Sequence, residues 1–151
     1  MNEPLRLGTR GSRLALTQSQ QVADSLTAAT GLPVELVVIS TRGDRIQDRP
    51  LPEIGGKGLF TLELEQALRD GRIDLAVHSL KDLPTEDPDG LMLGGIPRRE
   101  DPRDALVGRS LEDLKDAATV ATGSLRRGAQ LKVYRPDLRI VDIRGNVPTR
   151  L

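Results

Sequence analysis

Residues 34–40 read Val-Glu-Leu-Val-Val-Ile-Ser, a nearly continuous apolar run rich in β-branched side chains. Such a run suits a strand covered on both faces, as strands of parallel sheets are. Upstream, residues 5–8 (LRLG) predict a short strand ending in the turn 9–12 (TRGS). Ser12 is placed to cap a helix in which Ala15, Ser19, Val22, Leu26 and Ala29 recur at helical spacing, and Gly31 and Pro33 stop it. Downstream, the Gly/Pro-rich stretch 42–58 predicts a loop. Residues 59–69 put Phe60, Leu64, Ala67 and Leu68 on one helical face before Asp70 and Gly71 end it. Residues 74–77 and 91–96 predict two more strands. Strands alternating with helices indicate an α/β fold with a largely parallel sheet.

Residues 97–103 (PRREDPR) are polar, carry two prolines and lack periodicity. They suit either a crossover between domains or a long surface loop. The crossover reading gives a first α/β domain over 1–97, a connection at 98–103 and a second domain over 104–151. In that second part, 104–107 is expected to be extended, and Ser110 to open a short helix with Asp113 at capping-box spacing. Strands are predicted at 119–122 and 138–143, with a helix over 124–134 between them. Asn146 can cap a last helical turn containing Pro148. This second domain is expected to be incomplete, and the natural protein to continue past Leu151.

Composition narrows the function classes. Two aromatic residues, Phe60 and Tyr134, cannot build base-stacking platforms, and there is no cysteine for a disulfide, a thiol nucleophile or a thiolate metal site. The single histidine, His78, leaves no His-rich metal cluster. No apolar run approaches the roughly 20 residues of a membrane span, and the N-terminus has no signal-peptide core. A cytoplasmic protein that binds neither membrane nor metal is expected. The formal charge is zero, yet residues 1–117 carry 15 basic and 20 acidic groups (net −5), and residues 118–151 carry 7 and 2 (net +5). Arginine outnumbers lysine 18 to 4, and its planar fork grips carboxylates and phosphates in a way lysine cannot.

Ligands of α/β sheets bind beyond the carboxyl ends of the strands. Thr9, Arg10 and Ser12 follow the first predicted strand, and His78, Ser79, Lys81 and Asp82 follow the one at 74–77. Ser124, Arg126 and Arg127 follow 119–122, and Arg144 then Arg150 follow 138–143. These positions imply a polyanionic ligand. Asp82, a carboxylate among cations, suits either a structural salt bridge or the stabilisation of a cationic intermediate. His78 reads as a packed strand-end residue. The glycines at 55–58 (GGKG) are not a nucleotide P-loop, because Gly58 follows Lys57 where Ser or Thr is required. They suit a glycine-hinged loop carrying Lys57, or a passive surface loop.

Five segments are more specific than any of these patterns: 5–16 (LRLGTRGSRLAL), 55–60 (GGKGLF), 78–84 (HSLKDLP), 123–127 (GSLRR) and 143–147 (IRGNV). Their sequence and order closely resemble the porphobilinogen deaminase family across the whole chain. The resemblance implies periplasmic-binding-protein-like lobes, with the first domain and part of the second present and a cofactor-carrying third domain absent. It implies the stepwise condensation of porphobilinogen to the linear tetrapyrrole hydroxymethylbilane, with loss of ammonia, by a transferase of porphyrin and haem biosynthesis. It also implies a dipyrromethane cofactor, covalently held on a cysteine outside this chain, and a monomeric whole protein whose partners are porphobilinogen and oligopyrrole intermediates.

Carried over by motif, Asp82 and Lys81 would be catalytic, Asp82 holding pyrrole nitrogens and stabilising the cation left by ammonia. Ser12, Lys81, Asp82, Thr122, Ser124, Arg126, Arg127 and Arg150 would hold the cofactor. Arg10, Ser12, Gln18, Arg144 and Arg150 would bind substrate, and Lys57 would belong to a mobile loop. The 151 residues alone are expected to be inactive. A non-catalytic small-anion binding module of two-lobed architecture is the alternative. A nucleic-acid binder using residues 118–151 is disfavoured by the neutral charge and missing aromatics.

Overall fold

The computed structural model describes residues 3–45 and 58–151. The chain divides into two compact units, Met1–Arg98 and Arg99–Leu151.

The first unit is built on three parallel strands in the order β2-β1-β3. Strand β1 (Leu5–Thr9) leads into helix α1 (Arg13–Thr30), which returns the chain to start β2 (Val34–Val38) beside β1. Parallel pairing demands such a crossover. The Ser12 hydroxyl caps α1 by accepting the Ala15 N–H at 3.3 Å, and the Gly31 N–H closes its other end on the Thr27 carbonyl. A one-turn helix α2 (Arg42–Arg45) and helix α3 (Leu62–Arg69) precede β3 (Leu75–Ala76), which pairs with the opposite edge of β1. Leu7 of β1 lies opposite both Leu36 and Leu75.

The core lies between this sheet and α3. Leu64, Ala67 and Ile73 are buried there, with Val37, Ile39, Leu68 and Ala76 packed at its margin. Leu7, also buried, alternates to the other face of β1 with Thr9, which meets Ser19 of α1. Gly8 is needed for that contact, because a Cβ there would sit 2.3 Å from Ile73 Cδ1 and 3.0 Å from Leu64 Cδ2.

The second unit pairs β4 (Thr119–Ala121) with β5 (Arg139–Val141) in parallel through helix α4 (Leu125–Tyr134), and ends in the one-turn helix α5 (Val147–Arg150). Its buried apolar residues are Val120 and Leu138.

Several local expectations need correction. Residues 91–96 form no strand, and Met92 and Ile96 are exposed; an apolar run becomes a strand only where a neighbour takes its backbone bonds. No helix follows Ser110. Its hydroxyl meets Asp113 Oδ2 at 2.7 Å and accepts the Asp113 N–H at 3.3 Å, giving a turn. The carbonyls of Leu111 and Leu114 go to the Arg135 guanidinium, each at 3.3 Å, where a helix would have offered them to amides. The predicted loop 42–58 begins with a helical turn at Arg42–Arg45, and its residues 46–57, Lys57 among them, lie outside the described residues. Asn146 stands at the start of α5 with extended backbone, but its side chain makes no capping bond. Among the described residues no helix is long and apolar enough to cross a membrane.

Candidate functional site

In the first unit the chain leaves β1 toward β2 on one side and returns to β3 on the other. Direction therefore switches between β1 and β3, where a crevice opens beyond the carboxyl ends of the strands. The cleft there is lined by Arg10, Ser12 and Gln18 from the β1–α1 side and by His78, Ser79 and Asp82 from the segment after β3. The latter segment turns through one 3-10 helix, Leu80–Asp82, closed by the Asp82 N–H on the Ser79 carbonyl at 2.9 Å. The turn puts Asp82 in the lining and leaves Lys81 exposed outside it.

Beneath the cleft the Ser19 hydroxyl donates to Thr9 Oγ1 at 2.7 Å, and both side chains are fully buried. His78 is half-buried. Burial lowers its pKa, and the Arg10 charge acts in the same sense against Asp82 and Glu65. The imidazole is therefore held below its ordinary value and is neutral near pH 7.

Arg10 is engaged from behind. Its Nε donates to Asp44 Oδ1 at 3.1 Å and Oδ2 at 3.2 Å, and its Nη2 to Oδ1 at 2.5 Å. Its guanidinium carbon lies 4.1 Å from the centre of the Phe60 ring, within cation–π range. Burial pushes the Asp44 carboxyl upward, but hydrogen bonds from Arg10 and Thr41 outweigh it and hold the group below its ordinary value.

In the second unit the same strand-end logic applies on a smaller scale. The Ser124 hydroxyl caps α4 by accepting the Arg127 N–H at 3.4 Å, and the Ser124 N–H donates to Thr122 Oγ1 at 3.2 Å. Thr122 and Ser124 line a cleft of about 400 Å³ with Leu125, Gly128, Ile140 and Asp142. Arg126 and Arg127 are not in that lining. Both reach Asp104, Arg127 Nη2 at 2.7 Å and Arg126 Nη2 at 3.4 Å, and Arg126 Nη1 also donates to Gln130 at 2.8 Å. The hydrogen bond from Arg127 leads the effects that hold the Asp104 carboxyl below its ordinary value. Arg150 Nε donates to the Gly145 carbonyl at 2.7 Å. Arg144 Nη1 is buried and has no acceptor among the described residues.

Sequence reasoning overlooked Asp44 and Asp104, the carboxylates that hold the predicted arginines. A signal existed for Asp44. It lies a few residues past the strand at 34–40, as Arg10 lies just past the first, and neighbouring parallel strands bring such positions together.

Residues 5–151 match the family model described as porphobilinogen deaminase, dipyromethane cofactor binding domain. The chain belongs to the porphobilinogen deaminase family. A porphobilinogen deaminase of Caulobacter sp. (strain K31) is 55% identical over 160 residues, covering 99% of this chain and 50% of that relative. Another, from Syntrophotalea carbinolica (strain DSM 2380 / NBRC 103641 / GraBd1), is 59% identical over 151 residues, covering 97% of this chain and 48% of its own length. The chain thus spans about half the length of the curated relatives it matches. These arginines and Asp82 all lie within the residues matched by that family model.

Proposed function

We propose that this chain is the cofactor-binding part of a porphobilinogen deaminase, a transferase that joins porphobilinogen units head to tail with release of ammonia. The observation that carries the proposal is the cleft of the first unit. One carboxylate, Asp82, lines it together with a backed guanidinium, Arg10, and hydroxyl and amide donors from Ser12 and Gln18. Porphobilinogen bears two carboxylates and a leaving ammonium group on a pyrrole, so its recognition needs cations at its edge and an anion at its ring.

The residues present fit a dipyrromethane, whose carboxylates would meet the exposed guanidinium groups of Arg126 and Arg127, held only by an exchangeable contact with Asp104. Arg144 Nη1, buried without an acceptor among the described residues, suits a substrate carboxylate, because a buried donor left unpaired is costly. Ser12, Lys81, Asp82, Thr122, Ser124, Arg126, Arg127 and Arg150 would hold that group. Bound, it would supply the pyrrole carbon to which the first substrate unit is joined. Arg10, Ser12, Gln18, Arg144 and Arg150 would bind the acetate and propionate groups of porphobilinogen, each charge-assisted bond contributing about 1.5–3 kcal/mol.

As the bond between the methylene carbon and nitrogen breaks, ammonia takes the electron pair and the pyrrole becomes cationic. Asp82 would accept a hydrogen bond from the pyrrole N–H and stabilise that cation through charge, while neutral His78 adds no competing positive charge to the cleft. Lys81, adjacent to Asp82, would pair with a carboxylate. Each unit would represent one lobe of a periplasmic-binding-protein-like architecture, in whole or in part, and Lys57 would belong to a loop serving the cleft.

Asp82→Asn in the product of the full gene tests this reading. Porphobilinogen turnover should fall by about 10²–10³-fold, the scale for losing one preorganised electrostatic stabiliser, with the melting temperature nearly unchanged. Unaltered turnover would favour a non-catalytic anion-binding module.

A further inference from the structure

Residues 41–44, Thr-Arg-Gly-Asp, form a small device behind Arg10. The Thr41 hydroxyl donates to Asp44 Oδ2 at 2.7 Å, its N–H points at the same oxygen at 3.3 Å, and Thr41 is fully buried. Helix α2, which carries Asp44, is pinned to the segment leading into α3. The Gly43 N–H donates to the Leu59 carbonyl at 2.8 Å, and Glu63 Oε1 accepts from the Arg42 N–H at 2.7 Å and Arg45 Nη2 at 2.9 Å. Gly43 leaves room for the Phe60 ring, whose carbons would lie 2.2–2.7 Å from any Cβ at that position. Phe60 in turn lies against the face of Arg10.

The guanidinium is thus held along one edge by Asp44 and over one face by Phe60. The free edge is Nη1, which has no acceptor among the described residues. A guanidinium can bind two carboxylates on different edges, and fixing the first sets where the second must come.

We infer that Asp44 is a positioning residue that, steadied by Thr41, fixes the edge of Arg10 offered to a ligand carboxylate in the cleft shared with Asp82. This rests on the reading of Arg10 as a substrate-carboxylate ligand. The role belongs to Asp44 acting through Arg10, and Asp44 itself touches no substrate.

The test is Asp44→Asn in the product of the full gene, followed by steady-state kinetics with porphobilinogen and by the NMR signal of the Arg10 Nε–H. The expected result is a rise in KM of about tenfold, with kcat within threefold and a slow-exchanging Nε–H signal lost. Arg10→Gln should raise KM at least as much, and the double variant should be no worse than Arg10→Gln alone. An unchanged KM, or losses that multiply in the double variant, would overturn the inference; so would a fall in stability with no change in KM. If the wild-type protein does not turn over porphobilinogen, the functional reading fails, and the Nε–H signal still reports whether Asp44 fixes Arg10. Where Asp44→Asn does not fold, Thr41→Val replaces it: a raised KM supports the role, and an unchanged one overturns it.

Discussion

Arg10 in the first unit and the Arg126–Arg127 pair in the second are both held by an aspartate, and the settings differ. The Arg10 and Asp44 side chains are 18% and 24% exposed. The contact is backed by a buried threonine, an aromatic face and a pinned helical turn. Arg127 and Asp104 are 47% and 44% exposed, and Arg126 is 62% exposed. Exposed pairs contribute about 0–1 kcal/mol and are screened by salt. The first arrangement therefore sets a geometry, whereas the second is cheap to exchange for a ligand carboxylate. The difference follows from what lies underneath. Leu7, Ala23, Leu64, Ala67 and Ile73 give the first unit a core on which a network can be built, and the second buries only Val120 and Leu138 among its described apolar residues.

Disrupting the first arrangement should have the larger effect. Gly43→Ala places a methyl group against the Phe60 ring, and overpacking of this kind costs about 1–3 kcal/mol. Chemical denaturation should show that loss, accompanied, on the proposed function, by weaker porphobilinogen binding in the full gene's product as the face of Arg10 is disturbed. Asp104→Asn should leave the denaturation midpoint almost unchanged, and its small effect should vanish in high salt. On the proposed function, the KM for porphobilinogen of the full gene's product should not rise, since Arg126 and Arg127 gain freedom to meet a ligand. A large rise would mean that the exposed pair is as fixed as the half-buried one.

Acid titration sharpens the contrast further. His78 has a folded-state pKa below its ordinary 6.5, so the unfolded chain takes up its proton first. Stability should start to decline as pH falls below about 6.5. The Asp44 carboxyl is held below its ordinary 3.8, so its contribution is present above that pH and is lost as pH falls through the lower folded value. Denaturation midpoints against pH should show both steps. His78→Gln should remove only the first, and Asp44→Asn only the second.

Much of this was legible in the sequence. The β-branched run at 34–40 and the Ser12 cap predicted the βαβ start of the sheet, which β1, α1 and β2 form. Strand ends then located Arg10, Ser12, His78 and Asp82 near one another, because parallel strands share a common carboxyl edge; Gln18 was named only by the family resemblance. The two aspartates were not legible. Charge periodicity says which residues are acidic, but not which arginine each will meet. Asp44 finds Arg10 only because β1 and β2 are neighbours, and Asp104 finds Arg126 and Arg127 across 22 and 23 residues of chain. The failed strand at 91–96 has the same origin, since a strand is defined by a partner that local sequence does not name.

The most direct test of the central claim is the intact mass of the native gene's product isolated from its own cell. A mass exceeding that of the translated sequence by one dipyrromethane is the predicted result. A mass equal to the translated sequence, in a protein that nevertheless folds and binds small carboxylates, would contradict the deaminase reading and leave a binding module in its place.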